Sequence, residues 1–229
     1  RKVESQKGFI LTGNWEDNDQ QHIIKFYGVG EKGPFEILIS NFLPLFFVER
    51  DAAFPDGMPA FKRNPLKLKN FGGQDVDALY FKTQKDLFKA KDTLSQAGIR
   101  TYEADVRSTE RYLMERFIYG QVEITGKGED IDGLWVFKNP DLKSTTYKPQ
   151  FKVLSLDIET GMKGELYSIA VHQKSASDDI KHVFMVGEKN ETRPEHKLTL
   201  LESEELVLRS FLNFFNSSSP SIFGILIST

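Results

Sequence analysis

The chain has 229 residues, 39% of them hydrophobic and 28% charged, so it is long enough for one large domain or two modest ones and can bury a core. It contains no cysteine, which excludes disulfide frameworks and thiolate chemistry and fits a reducing compartment such as the cytoplasm. The formal net charge of −3 does not point to a nucleic-acid or membrane partner, and no apolar run approaches the ~18 residues that a membrane span needs.

The first part of the chain is typical of short strands separated by turns. Apolar residues alternate with polar ones and β-branched and aromatic residues are frequent, which predicts strands at 8–15, 22–29, 35–40 and 42–48. Pro55, Pro59 and Pro65 follow. Because proline cannot donate to a strand ladder, these residues predict an irregular segment in which no central strand persists.

Helical signals begin after a predicted strand at 78–82. Thr83 stands where a helix N-cap is expected, and Gly98 suits the left-handed residue that ends a helix. Ser108 or Thr109 is expected to cap a second helix that ends near Gly120. The remaining strands predicted in this part are at 99–103, 122–125 and 134–137.

The segment 139–149 is polar, contains two prolines and has no periodicity, which predicts a linker. We therefore expect two domains, residues 1–151 and residues 152–229. In the second domain the pattern predicts strands at 152–160, 165–172 and 182–186, a long loop, a helix that begins after Ser203, and a strand at 222–227.

The predicted strand 152–160 carries the most informative pattern. Leu154 and Leu156 fall on one face, and Asp157 and Glu159 fall on the other, because strand side chains alternate. Two ionised carboxylates so close together repel each other unless a cation lies between them, and hard oxygen ligands favour Mg²⁺ or Mn²⁺. On spacing alone the alternative stays open that both acids simply point to water.

A second candidate is the densest group of basic residues in the chain, flanked by two aromatic residues. Positive charge combined with aromatic stacking is typical of single-stranded nucleic-acid contacts. A solvated surface loop is the alternative. The basic residues are Lys62, Arg63, Lys67 and Lys69, and the aromatic residues are Phe61 and Phe71.

Three blocks of the sequence resemble family B DNA polymerases. The letters DIET at 157–160 and GELYSI at 164–169 are similar to the first exonuclease motif of that family. The segments 102–107 and 110–117 resemble the stretch just ahead of that motif, and residues 8–15 resemble the beginning of the bacterial members. The likeness runs from Gly8 to about Gly224.

The resemblance implies an α+β fold, in which a β-rich mixed N-terminal domain is followed by the first part of a ribonuclease-H-like 3′→5′ exonuclease domain. It implies that Asp157 and Glu159 are catalytic residues and ligands of Mg²⁺ or Mn²⁺, and that Thr160 contacts nucleic acid. The implied partners are DNA, as a single-stranded 3′ end or a primer–template, and the remainder of a polymerase chain, but not a membrane. The resemblance implies a sliding clamp as a partner of the whole polymerase, through contacts outside this segment.

The chain also departs from the family pattern. The second exonuclease motif, with its Asn and Phe-Asp pair, and the third motif, with its Tyr and Asp, are absent, and so are the polymerase palm motifs. We therefore expect the front of a DNA polymerase cut inside its exonuclease domain, without polymerase activity and with an incomplete exonuclease site.

Two alternatives from other classes remain. One is a non-catalytic single-stranded nucleic-acid-binding or scaffold module. The other is an unrelated small metal nuclease, for which Glu202 or Glu204 is the only local candidate for a further acid beside Asp157.

Overall fold

The computed structural model describes residues 4–18, 21–218 and 222–226. They form two compact, β-rich units, Arg1–Pro149 and Gln150–Thr229. None of the helices in this described portion has the length and apolar character needed to cross a lipid bilayer.

The first unit contains strands β1 to β11 and two helices. In chain order they are β1 (Glu4–Asp17), β2 (His22–Gly30), β3 (Gly33–Ile39), β4 (Leu45–Glu49), β5 (Phe61–Lys69), β6 (Asp75–Phe81), α1 (Gln84–Gln96), β7 (Thr101–Tyr102), α2 (Ser108–Met114), β8 (Gln121–Gly126), β9 (Gly128–Ile131), β10 (Leu134–Lys138) and β11 (Asp141–Ser144).

Seven of these strands form the larger sheet, in the order β11-β8-β1-β2-β3-β10-β9. Neighbouring strands are antiparallel except β3 and β10, which are parallel. Alternate residues of β2 and β3 are buried, and Phe26, Phe35 and Ile37 lie in the core beside Ile124 and Phe137. The period-two apolar pattern therefore assigns one face of these strands to the interior.

The smaller sheet has the order β5-β6-β4-β7 and is antiparallel throughout. One face packs against α1, where Phe46, Leu79 and Phe81 of the sheet meet Leu87 and Leu94 of the helix. Strand side chains alternate, so Phe47 and Glu49 on β4 lie on the opposite face, which α1 does not cover.

A chain of polar contacts joins the larger sheet to both helices of the first unit. The Nδ1 atom of buried His22 lies 2.7 Å from Asp17 Oδ1, and its Nε2 atom lies 2.8 Å from Ser108 Oγ. The backbone N–H groups of Gln84 and Lys85 donate to the Asp17 carboxylate. Asp17 thereby satisfies N–H groups that the first turn of α1 leaves open.

The second unit contains β12 (Val153–Thr160), β13 (Leu166–Lys174), β14 (Asp179–Val186), β15 (Glu191–Arg193), β16 (Leu198–Leu201), α3 (Glu204–Ser218) and β17 (Ile222–Leu226). Its sheet has the order β15-β16-β14-β13-β12-β17. The pairs β12–β17 and β14–β16 are parallel. The α3 helix packs on one face, where Leu154, Leu156 and Val171 are buried together with Val207.

Four details of the predicted secondary structure are wrong. The predicted irregular segment ends earlier than expected, because Pro65 lies within β5. This strand tolerates proline since it is an edge strand whose register shifts after Pro65. The second helix ends at Met114 rather than near Gly120. The predicted linker contains β11, which pairs with β8, and the predicted long loop contains β15 and β16. Position 227 of the last predicted strand lies outside the described residues.

Candidate functional site

The two acids singled out in the sequence lie near the end of β12 on the sheet face opposite α3. Asp157 is paired in register with Ala170, and Glu159 with Ser168, both on β13. Asp157 is partly buried and Glu159 is exposed. The alternation of β12, which buries Leu156 on the α3 face, therefore places both carboxylates on one surface.

A tight turn follows the acid pair directly. Thr160 is exposed and pairs with Leu166 after a shift in register. The backbone N–H of Gly161 donates to the carbonyl of Glu165 over 2.7 Å, and Gly164 adopts a φ of +88° that favours glycine. The geometry holds Thr160 at the end of the acid-bearing strand.

No third acid or histidine forms a cluster with the acid pair within the described portion of the chain. No group of three His, Asp or Glu side chains there could hold a metal ion. Glu202, one of the two further acids considered from the sequence, accepts a hydrogen bond from Asn190 over 3.2 Å. Glu204 lies in the first turn of α3. Neither forms a group with Asp157 and Glu159 that could hold a metal ion within the described residues.

The basic candidates lie along the edge strand β5, and two of the four are held by acids. Arg63 Nε donates to Asp77 Oδ2 over 2.7 Å. Lys69 Nζ lies 3.3 Å from Asp75 Oδ1 and donates to the Gly73 carbonyl over 3.0 Å. Exposed Lys62 and Lys67 form no ion pair with a described residue. The nucleic-acid role of these four residues stays a prediction.

The two flanking aromatic residues have different environments. Phe61 packs against Phe54 and Phe81, with ring centroids 5.3 and 6.2 Å apart. Phe71 lies in the turn between β5 and β6, and its relative exposure is 112%. Only Phe71 therefore offers an open ring face for stacking.

Asp77 is the centre of the charge network behind β5. It is buried, with a relative exposure of 3%, and also accepts a hydrogen bond from Arg50 Nε over 2.9 Å. Burial alone would raise the pKa of Asp77, but the hydrogen bonds from Arg50 and Arg63 outweigh burial and lower that pKa below its ordinary value. The ionised Asp77 carboxylate therefore links Arg63 of β5 to the neighbouring strand β6.

A cavity of about 940 Å³ lies in the first unit. We call it the sheet cavity. Its lining includes Phe47, Glu49 and Tyr102 of the smaller sheet, with Phe71 from the β5–β6 turn and Arg111 from α2. The Arg111 guanidinium lies 5.2 Å from the centroid of the Phe47 ring. Three separate segments of the chain therefore build one concave surface on the face that α1 leaves uncovered.

The polar groups of the sheet cavity are partly satisfied by one another. The Tyr102 hydroxyl donates to Glu49 Oε1 over 2.6 Å and accepts from Asn70 Nδ2 over 2.8 Å. The hydrogen bond to Glu49 is the main reason that the pKa of Tyr102 is raised. Arg111 Nη2 donates to Glu103 over 2.8 Å, while the buried Nε atom of Arg111 has no partner in the described part of the chain.

The sequence contains no local signal for the sheet cavity. Its residues come from β4, from residues 68–76 at the end of β5, the following turn and the start of β6, and from residues 100–115, which include β7 and α2. Of the basic cluster and its flanking aromatic residues, Lys69 and Phe71 line the cavity. Tertiary packing, not a spaced motif, brings Glu49, Tyr102 and Arg111 together.

Comparison with solved structures identifies a class of fold. The chain superposes on the family B DNA polymerase from the hyperthermophilic archaeon Pyrobaculum calidifontis with a TM-score of 0.68 at 18% sequence identity, over 95% of this chain and 30% of that one. At this identity the likeness shows a shared fold. No family model matches the chain.

The sequence comparison is more specific. The chain is 32% identical over 227 residues to DNA polymerase II of Escherichia coli strain K12. The alignment covers 95% of this chain and 28% of that protein, so the chain spans a little over a quarter of the length of this relative. The resemblance inferred from the motifs, to a bacterial family B DNA polymerase of the DNA polymerase II type, is confirmed.

Proposed function

We propose that the chain is the N-terminal part of a DNA-directed DNA polymerase that also removes mismatched 3′ ends and acts in DNA replication and repair. In this proposal residues 1–151 are the N-terminal domain and residues 152–229 are the first part of a ribonuclease-H-like 3′→5′ exonuclease domain. The observation that carries it is the 32% identity to DNA polymerase II along 95% of the chain. The acid pair on β12 supports the exonuclease assignment.

The carboxylates of Asp157 and Glu159 are the kind of ligand that a divalent metal prefers, but two side chains are too few for a complete site. Their carboxylates are the hard oxygen donors that Mg²⁺ and Mn²⁺ prefer, and they project from one face of one strand. When bound, such ions stabilise the charge that develops on the attacking and leaving oxygens in phosphoryl transfer. Because the described residues supply no third acid or histidine, further ligands have to come from other parts of the polymerase.

The proposal assigns the other groups accordingly. Thr160, at the exposed end of the same strand, contacts the nucleic acid, and Lys62 and Lys67 are the cations of β5 that remain for the DNA backbone. The partners are a single-stranded 3′ end or a primer–template and the rest of the polymerase, in the cytoplasm; a sliding clamp is a partner of the whole polymerase and is not assigned to this segment. The 229-residue chain itself has no polymerase activity and does not complete an exonuclease site.

Binding of Mn²⁺ and cleavage of DNA test this proposal together. We expect electron paramagnetic resonance to detect weak Mn²⁺ binding that falls at least about tenfold in Asp157→Ala and in Glu159→Ala, because each substitution removes a ligand. Glu188→Ala removes another exposed acid of the second unit and leaves Mn²⁺ binding unchanged. The chain does not shorten a 5′-labelled single-stranded oligonucleotide in Mg²⁺ or Mn²⁺.

Two outcomes would count against the proposal in different ways. If Mn²⁺ binds equally to the wild type and to both variants, the acid pair is not a metal site. If the chain degrades the oligonucleotide from its 3′ end and both variants are inactive, the site is complete within these residues and its incompleteness is refuted.

A further inference from the structure

We propose that the second unit binds a backbone phosphate of single-stranded DNA at a basic corner on the sheet face opposite α3. The basic corner consists of His172 and Lys174 of β13 and Lys181 of β14, together with the Ser155 hydroxyl of β12. None of these residues belongs to the motifs that indicated the exonuclease domain. The inference rests on the proposed function in one respect, since it takes DNA as the source of the phosphate.

The register of the strands places the basic corner beside the acid pair. His172 is paired with Ser155 of β12 and with Lys181 of β14. Paired residues of neighbouring strands project from the same face of a sheet, and Asp157 follows Ser155 by two positions. The basic corner and the acid pair therefore share one face, and about 7 Å of β12 separates Ser155 from Asp157.

A cavity of about 350 Å³ lies at the basic corner. The Ser155 hydroxyl makes no side-chain hydrogen bond with a described residue. The cavity therefore combines a hydroxyl donor, an imidazole and an ammonium group, which are all groups that bind phosphate oxygens. Its lining residues are Phe151, Val153, Ser155, His172, Lys174 and Ser175.

The lysines of the basic corner outnumber the carboxylate that lies among them. Lys174 and Lys181 are exposed, and neither forms an ion pair or a hydrogen bond with a described residue. The carboxylate is that of Asp179, whose Oδ1 atom lies 2.8 Å from His172 Nε2. The hydrogen bond from His172 is the largest cause that lowers the pKa of Asp179, and the charges of Lys181 and Lys174 lower it further. Two lysines thus share one carboxylate, which leaves positive charge for an anion.

A second acid, Asp178, does not cancel this charge. Its carboxylate accepts hydrogen bonds from the hydroxyls of Ser175 and Ser177 over 3.0 and 2.8 Å. The hydrogen bond from Ser177 is the largest cause that lowers the pKa of Asp178, and the charge of Lys152 adds to the lowering. Counted together, three lysines face two carboxylates at this end of the sheet.

The position of the basic corner favours a DNA strand as the occupant. In the proposed function, divalent ions on Asp157 and Glu159 attract one phosphate of the strand. The basic corner lies about 7 Å away along the same strand of the sheet, a distance that one nucleotide of an extended chain can span. One DNA strand can therefore contact the acid pair and the basic corner with successive phosphates. A free phosphate ion has the same chemistry, and the test distinguishes the two.

NMR signals of the histidine rings test the basic corner directly. The chain has four histidines, and His172→Gln identifies the signal of His172. The 229-residue chain is titrated with a thymidine hexanucleotide in Mg²⁺ at about 50 mM salt. We expect the His172 signal to shift until the site is saturated. The signal of His196, which is exposed between β15 and β16, should stay in place.

Matched variants measured by fluorescence anisotropy with a 5′-fluorescein strand locate the effect. The double substitution Lys174→Gln and Lys181→Gln should weaken binding about eightfold at 50 mM salt, because one phosphate contact on a single strand contributes a salt exponent of about 0.7. Arg209→Gln removes a cation of α3, on the other face of the sheet, and should leave affinity unchanged. Asp179→Asn should strengthen binding, because it removes the charge that competes for the lysines and keeps an oxygen that accepts from His172.

Three results would overturn the inference in distinguishable ways. If inorganic phosphate at equal phosphate concentration shifts the His172 signal as strongly as the hexanucleotide does, the basic corner binds the free ion and its assignment to DNA is wrong. If the strand binds but neither moves the His172 signal nor responds to the lysine substitutions, the basic corner is not the site and DNA remains a partner. If the strand does not bind, the inference fails together with the proposed contact between this chain and DNA, whereas the Mn²⁺ experiment still tests the acid pair alone.

Discussion

Replacing Asp77 by asparagine should destabilise the first unit substantially. Asp77 is buried and accepts the Nε–H groups of Arg50 and Arg63 over 2.9 and 2.7 Å. Asparagine keeps one acceptor oxygen, which can accept from one of the two arginines. Its NH₂ group faces the other guanidinium, and because both groups are donors no hydrogen bond forms there. One charge-assisted hydrogen bond is lost and the other is weakened.

The magnitude follows from the burial of the carboxylate and the exposure of its partners. Breaking a fully buried ion pair costs about 3–5 kcal/mol. The side chains of Arg50 and Arg63 retain 38% and 31% of their exposure, so water can solvate them in the variant. We therefore expect the free energy of unfolding of the first unit to fall by about 2–3 kcal/mol.

Tryptophan fluorescence isolates this unit in a urea titration. The chain has two tryptophans, Trp15 and Trp135, and both lie in the first unit. Asp75→Asn is the matched control, because the half-exposed Asp75 contacts Arg50 at 3.1 Å and Lys69 at 3.3 Å. Its removal should cost less than about 1 kcal/mol, as is usual for exposed pairs.

The pH dependence has a definite sign. Because the pKa of Asp77 lies below its ordinary value of 3.8 in the folded state, its contribution is complete at neutral pH and declines as the pH falls below that value. Asp77→Asn should lose this part of the acid sensitivity. If Asp77→Asn and Asp75→Asn unfold at the same urea concentration at pH 7, the charge network does not hold β5 as argued.

Two further predictions concern the second unit. Leu154 is fully buried, so Leu154→Ala should lower the free energy of unfolding by about 2–5 kcal/mol and accelerate hydrogen exchange in β12 and β13. Leu212 is 53% exposed, and Leu212→Ala should leave exchange unchanged. Equal effects of the two substitutions would mean that Leu154 does not belong to the core. Arg193→Gln should raise the pKa of Glu191 from about 2 towards its ordinary 4.5, because the hydrogen bond from Arg193 is the largest cause of the lowering, and an unchanged carboxyl titration by NMR would contradict this.

The sequence predicted correctly those elements that depend on interactions between residues close together in the chain. The alternation at 152–160 predicted β12 and its buried leucines. Thr83 caps α1 as expected, since its Oγ1 accepts from the Asp86 N–H over 3.1 Å. In both cases the chemistry that forms the element lies within a few consecutive residues.

Features that depend on distant segments were not predictable from one sequence. Pro65 indicated a break, because nothing nearby reveals that β5 is an edge strand with a shifted register. In the sequence Arg63 and Lys69 belong to a basic cluster. The structure shows that they form ion pairs with Asp77 and Asp75 of β6. The sheet cavity was missed for the same reason, since Glu49 and Arg111 are 62 positions apart in the numbering.

The pairing of charges on β5 limits what this strand can contribute to any affinity for DNA. With Arg63 and Lys69 held by acids, Lys62 and Lys67 remain for phosphates, and each phosphate neutralised on a single strand releases only about 0.7 counterions. Backbone attraction from two lysines is weak and disappears as salt rises. In the proposed function the acid pair of the second unit likewise depends on ligands from outside the described residues.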